Sequence, residues 1–89
     1  MQRCDITICN KLGLHARASA KLTRLATTFP CEVWLTRGKR RVNAKSIMGV
    51  MTLAAGLGVT LELETSGERE EEALKALRKL IERRFDEDE

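Results

Sequence analysis

The sequence predicts an α/β (α+β) fold, a two-layer sandwich in which three helices cover one side of a four-stranded, mostly antiparallel sheet, in the order β-α-β-β-α-β-α. Two observations carry this expectation. Four short segments alternate apolar and polar residues, each with a single apolar face, and three others repeat apolar residues at helical spacing. Eighty-nine residues make one domain, 1–89, because two would each approach the size at which a hydrophobic core stops sufficing. At 43% hydrophobic and 33% charged, with one Pro and six Gly, the composition is globular, neither disordered nor collagen-like.

Between Arg3 and Cys9, residues Cys4, Ile6 and Ile8 alternate with Arg3, Asp5, Thr7 and Cys9, which predicts a strand with one wet face. Asn10-Lys11-Leu12-Gly13 breaks the pattern. From His15 onward Ala18, Leu22, Leu25, Ala26 and Phe29 recur as one face of a helix that ends near Thr28, before Pro30. Cys31, Val33 and Leu35 alternate with Glu32, Trp34 and Thr36 in a second strand, and the turn at Gly38 leads into a short third strand over 40–43. Ser46 occupies an N-cap position before a short apolar helix from Ile47 to Leu53, ended by Gly56 and Gly58. Val59, Leu61 and Leu63 alternate with Thr60, Glu62 and Glu64 in the fourth strand. The last helix starts after Ser66-Gly67 with Glu68, Glu70, Glu71 and Glu72 and carries Lys79, Arg83 and Arg84 toward its end, charges that complement the helix dipole. Ala73, Leu74, Leu77, Leu80, Ile81 and Phe85 form its inward stripe, and residues 86–89 read as a solvated acidic tail.

The net charge of +3 is unevenly spread. Residues 1–45 hold ten Lys and Arg against two Asp and Glu, whereas residues 46–89 hold six against eleven. The basic half calls for an anionic partner: nucleic acid, a phosphate group or an acidic protein face. Nucleic acid is disfavoured, because only Phe29, Trp34 and Phe85 could stack on bases and neither aromatic strand motifs nor paired Gly-x-x-Gly loops occur. No apolar run nears the roughly 20 residues that cross a bilayer. Asp5 falls where the apolar stretch of a signal peptide would begin, so a cytoplasmic protein without membrane insertion is expected. Cys4, Cys9 and Cys31 are an odd number without zinc-site spacing, and free buried thiols with no metal are the expectation.

His15 is the chain's one histidine, and it stands where the first loop becomes the first helix, within Gly13-Leu14-His15-Ala16-Arg17. The backbone amides of Ala16, Arg17 and Ala18 have no intrahelical partner there and point toward any anion, and Arg17 adds a positive fork. Two readings fit the residues. His15 is an ordinary loop or N-cap residue, or it is a nucleophile toward phosphorus whose phosphorylated form those donors hold. Hydrolysis is less supported, since nothing near His15 pairs a nucleophile with an orienting carboxylate. Ile47, Met48 and Met51 cannot all face one way from so short a helix, so at least one is expected at the surface.

Asn10-Lys11-Leu12-Gly13-Leu14-His15-Ala16-Arg17-Ala18, together with Asn43-Ala44-Lys45-Ser46-Ile47-Met48-Gly49-Val50-Met51, resembles the HPr family of the phosphoenolpyruvate-dependent phosphotransferase system, and the resemblance spans essentially the whole chain. It implies an open-faced sandwich and a phosphocarrier whose His15 accepts a phosphoryl group on Nδ1 from enzyme I and passes it to an enzyme IIA-type protein. Arg17 matches the phosphate-stabilising arginine, Ser46 the serine phosphorylated by HPr kinase/phosphorylase in bacteria that possess it, Ile47, Met48 and Met51 the docking patch, and Arg24 a basic rim position. No cofactor is implied, and a monomer is expected. Where the family usually has Pro, this chain has Ala18, which loosens the first helical turn without abolishing the site. The stretches Glu70-Glu71-Glu72-Ala73-Leu74 and Phe85-Asp86-Glu87-Asp88 resemble the nitrogen-related NPr branch, a regulatory phosphorelay without sugar transport. A protein switched purely at Ser46, with His15 incidental, is the remaining reading.

Overall fold

The computed structural model of the chain describes residues 1–87; Asp88 and Glu89, half of the expected acidic tail, lie outside the described residues. The elements are β1 (Gln2–Thr7), α1 (Ala16–Thr27), β2 (Glu32–Arg37), β3 (Arg40–Asn43), α2 (Ile47–Met51), β4 (Thr60–Ser66) and α3 (Glu70–Glu82), the order the periodicities predict. The strands lie β1-β4-β2-β3, and every neighbouring pair is antiparallel.

The register explains why each strand has one apolar face. Cys4 faces Leu63, Leu63 faces Leu35, and Leu35 faces Val42, giving one apolar row across all four strands. Ala18, Leu22 and Ala26 of α1 and Ala73, Leu77, Leu80 and Ile81 of α3 are buried with that face in a single core. Two buried hydroxyls on α1 meet backbone carbonyls: Ser19 Oγ donates to Leu14 at 3.0 Å, and Thr23 Oγ1 to Ala44 at 3.1 Å. Each polar group is thereby satisfied, which keeps its burial affordable.

On the opposite face Glu64 departs from the simple alternation. It points away from the helices, yet it is buried, because Arg3 (3.4 Å) and Arg41 (2.9 Å) close over its carboxylate and the Arg41 guanidinium lies 4.2 Å from the Trp34 ring centroid. The polar side of β4 is thus partly sealed by side chains from its neighbour β1 and from β3, which lies beyond β2.

The first strand ends at Thr7 rather than Cys9, and three helix boundaries also differ from expectation. The second helix stops at Met51 rather than Leu53, and Ala54 reverses the chain at φ 49°. Arg37 Nη1 donates to the carbonyls of Leu53 and Ala54, each at 2.9 Å, and holds this short end. The last helix begins at Glu70, since Arg69 before it is left-handed (φ 62°). Glu70 then ties the helix start to the N-terminus: its carboxylate accepts from the Met1 ammonium at 2.6 Å and from the Gly67 amide at 3.0 Å, and these contacts lower its pKa. At the other end α3 gives way to a tight turn, Arg84–Asp86, in which three successive residues are left-handed (φ 59°, 56° and 63°). Phe85 is fully buried as expected, but it reaches the core through this turn.

The thiols also differ. Cys31 is buried, whereas Cys4 and Cys9 are only half-buried. Burial raises the pKa of Cys4, with Arg78 opposing it, and the Cys9 thiol donates to the Ile81 carbonyl at 3.2 Å.

Candidate functional site

The loop before α1 is shaped by Gly13, whose φ of 67° lets the chain turn against the segment that follows α2. Leu14 donates its amide to Ala55 at 2.8 Å and buries its side chain, so the next residue emerges at the surface. That residue is His15, the N-cap of α1, in an extended conformation (φ −73°, ψ 177°) with its carbonyl accepting from Ser19 at 2.8 Å. Its imidazole makes no capping bond. The side chain is 27% exposed, and Nε2 lies 2.6 Å from Glu87 Oε2. A carboxylate only accepts hydrogen bonds, so Nε2 is the donor in this contact, and in the neutral ring the lone pair is then on Nδ1.

Asn10, fully buried, completes the arrangement. Its Nδ2 donates to the Gly13 carbonyl at 2.8 Å and to Glu87 Oε1 at 3.1 Å, while its buried Oδ1 has no partner among the described residues. Both neighbours are acceptors, which fixes the orientation of the amide. Desolvation works against ionisation of Glu87, but the hydrogen bonds from Asn10 and His15 and the charges of His15 and Lys21 outweigh it, and its pKa is lowered. Glu87 is therefore no part of a freely solvated tail, as the sequence suggested; it is held against His15 by partners far away in the chain.

The amides of Ala16, Arg17 and Ala18 form the first turn of α1, where no helical carbonyl precedes them. Ala16 and Arg17 are exposed and Ala18 is buried. Arg17 is not the fixed fork the sequence implied: its guanidinium stands in solvent without an ion pair among the described residues, two positions from the imidazole. A partly exposed imidazole, a helix start and an exposed guanidinium are thus brought together at one end of α1.

The family model described as PTS HPr component phosphorylation site matches residues 2–83. The chain belongs to the HPr family. It is 61% identical to phosphocarrier protein HPr of Cupriavidus necator over 89 residues, covering the whole of both chains. The phosphocarrier protein NPr of Shewanella violacea is 43% identical over 83 residues, 93% of this chain and 91% of that protein. Among solved structures, HPr-C-His from Thermoanaerobacter tengcongensis superposes with a TM-score of 0.96 at 44% identity, with all of both chains covered.

The second HPr-like segment is also on the surface. Ser46 caps α2, its Oγ accepting from the Gly49 amide at 3.1 Å, and it is exposed. Ile47 (41% exposed), Met48 (73%) and Met51 (38%) all face solvent, more than the one required by the sequence reading, because Val50 alone anchors α2 in the core. Leu12 and Leu57, which the sequence reading passed over, stand exposed on the two loops that meet at Gly13. Arg24 is exposed on α1 at its last turn. Among the described residues no group of three or more His, Cys, Asp or Glu is placed to hold a metal ion, and no helix is long and apolar enough to cross a membrane.

Proposed function

We propose that this HPr-family chain is a cytoplasmic, monomeric phosphoryl relay in which His15 accepts the phosphoryl group from enzyme I on Nδ1 and passes it to an enzyme IIA-type protein. The supporting observation is a partly exposed imidazole at the start of α1 whose Nε2 is occupied and whose Nδ1 has no partner among the described residues. The amides of Ala16, Arg17 and Ala18 and the Arg17 guanidinium would receive the phosphoryl oxygens, stabilising the negative charge that arrives with them. Ile47, Met48 and Met51, rimmed by Arg24, supply an adaptable apolar surface for partners that differ in detail. The chain need not activate the donor, because docking places it in line with Nδ1. Incubation with enzyme I and phosphoenolpyruvate is expected to leave one acid-labile phosphate per chain, transferable to a IIA-type protein. A chain that stays unlabelled would refute the reading.

Ser46 is the proposed regulatory site for an HPr kinase/phosphorylase. Its hydroxyl is exposed, and a phosphate would add roughly −1.5 to −2 charge beside Ile47 and Met48, repelling an acidic partner. Ser46→Ala is expected to lose all ATP-dependent labelling by the kinase. It should also cost about 1 kcal/mol in urea unfolding, because the cap to Gly49 is lost. A second reading, an NPr-type regulatory relay without sugar transport, is favoured by the resemblance of the sequence stretches Glu70-Glu71-Glu72-Ala73-Leu74 and Phe85-Asp86-Glu87-Asp88 to that branch. Transfer of label to a nitrogen-type but not a sugar-type IIA protein would select it.

A further inference from the structure

We propose that Glu87 is a positioning residue for phosphoryl transfer: it holds the His15 ring in the Nε2–H tautomer and in one orientation, so that Nδ1 meets the incoming phosphorus as a free lone pair. The proposal rests on His15 being the phosphoryl acceptor. Both oxygens of the carboxylate are used, Oε2 at 2.6 Å from His15 Nε2 and Oε1 at 3.1 Å from Asn10 Nδ2, so its plane is fixed as well as its position. Asn10 also holds the Gly13 carbonyl, and the carboxylate and the loop that carries His15 are therefore anchored to one buried amide.

The chain reaches this position at a cost. Left-handed backbone costs roughly 1–2 kcal/mol per residue for side chains other than Gly, and Arg84, Phe85 and Asp86 all adopt it. The turn persists because it is determined from several sides. Phe85 is fully buried, Lys21 Nζ donates to the Phe85 carbonyl at 2.7 Å, Arg83 pairs with Asp86 at 3.1 Å, and the amides of Asp86 and Glu87 each bond one turn back at 3.0 Å. A strained turn fastened this firmly, ending in a carboxylate on the nucleophile's second nitrogen, matches the logic by which a carboxylate sets the tautomer of a catalytic imidazole.

In the transfer step the bond between phosphorus and the donor breaks as the bond from Nδ1 to phosphorus forms. The Nε2 proton stays where it is, and the ring becomes a phosphorylated imidazolium whose positive charge faces the Glu87 carboxylate. No further reactant is required. The negative charge of Glu87 lies on the ring edge away from the attacking lone pair, so its repulsion of the phosphoryl oxygens is the smaller effect.

The test compares Glu87→Ala and Glu87→Gln with the native chain. Nitrogen-15 NMR of the unphosphorylated protein is expected to show Nε2–H as the dominant neutral tautomer, a mixture in the Ala variant, and recovery in the Gln variant, whose amide oxygen can accept the same hydrogen bond. With phosphorylated enzyme I as donor, the Ala variant is expected to lose about ten- to a hundredfold in kcat at unchanged KM, and the Gln variant to recover most of it. An unchanged tautomer in the Ala variant would overturn the proposal, as would faster transfer, which would make Glu87 a latch on the nucleophile. A tautomer shift without loss of rate would equally overturn it. If the native chain takes no phosphoryl group on His15, the proposed function fails while the NMR comparison still reports on the contact itself.

Discussion

His15→Ala is expected to take up no acid-labile phosphate from enzyme I and phosphoenolpyruvate, a complete loss. No other group at this helix start can replace the imidazole. His15 is the chain's one histidine, the Ser19 hydroxyl is buried and committed to the Leu14 carbonyl, and the Cys9 thiol is committed to Ile81. Because the ring serves no capping role, the substitution should cost only the hydrogen bond to Glu87, about 1–2 kcal/mol. Complete loss of labelling in a chain that still melts cooperatively therefore separates chemistry from folding. Persistent acid-labile phosphate in the Ala variant would show that the acceptor lies elsewhere.

Gly13→Ala is expected to have the largest structural effect, at least about 2–3 kcal/mol in denaturant unfolding. Two costs coincide there. The position is left-handed at φ 67°, and an added Cβ would stand 2.5 Å from the Ala55 carbonyl oxygen and 2.7 Å from Gly56 Cα, both backbone atoms that cannot rotate away. Relief requires the two loops to part, which breaks the Leu14–Ala55 hydrogen bond and displaces His15, two residues on. Phosphoryl acceptance should fall together with stability. Gly38→Ala provides the control, since that glycine is also left-handed but has open space around it, and it should show the smaller backbone cost with labelling intact. Equal losses in both variants would rule out the steric argument.

What could be read from the sequence was what local periodicity encodes. Cys4 and Ile6 against Arg3, Asp5 and Thr7 gave the face of β1, and the spacing of Ala18, Leu22 and Ala26 gave that of α1, because each pattern depends only on residues within its own element. His15 and Ser46 were legible for the same reason, as residues at helix starts. What escaped depends on partners distant in sequence. Glu64 looks like any polar strand residue until Arg3 and Arg41 arrive from two other strands. Glu87 reads as tail because nothing near it announces Asn10 and His15, more than seventy residues earlier. The early end of α2 is held by Arg37, and no local breaker marks it.

The position of β4 has a consequence for how the molecule is made. The last strand in the chain is an interior strand of the sheet, flanked by β1 on one side and β2 on the other. As the polypeptide leaves the ribosome, the β2–β3 hairpin can close early by local pairing, but β1 waits for residues 60–66 before it has a neighbour at all. Until then two edges with unpaired amides and carbonyls stay open to passing chains. Completion of the sheet is thus a late event, and a nascent chain stalled before residue 60 holds the β2–β3 hairpin and an unpaired β1.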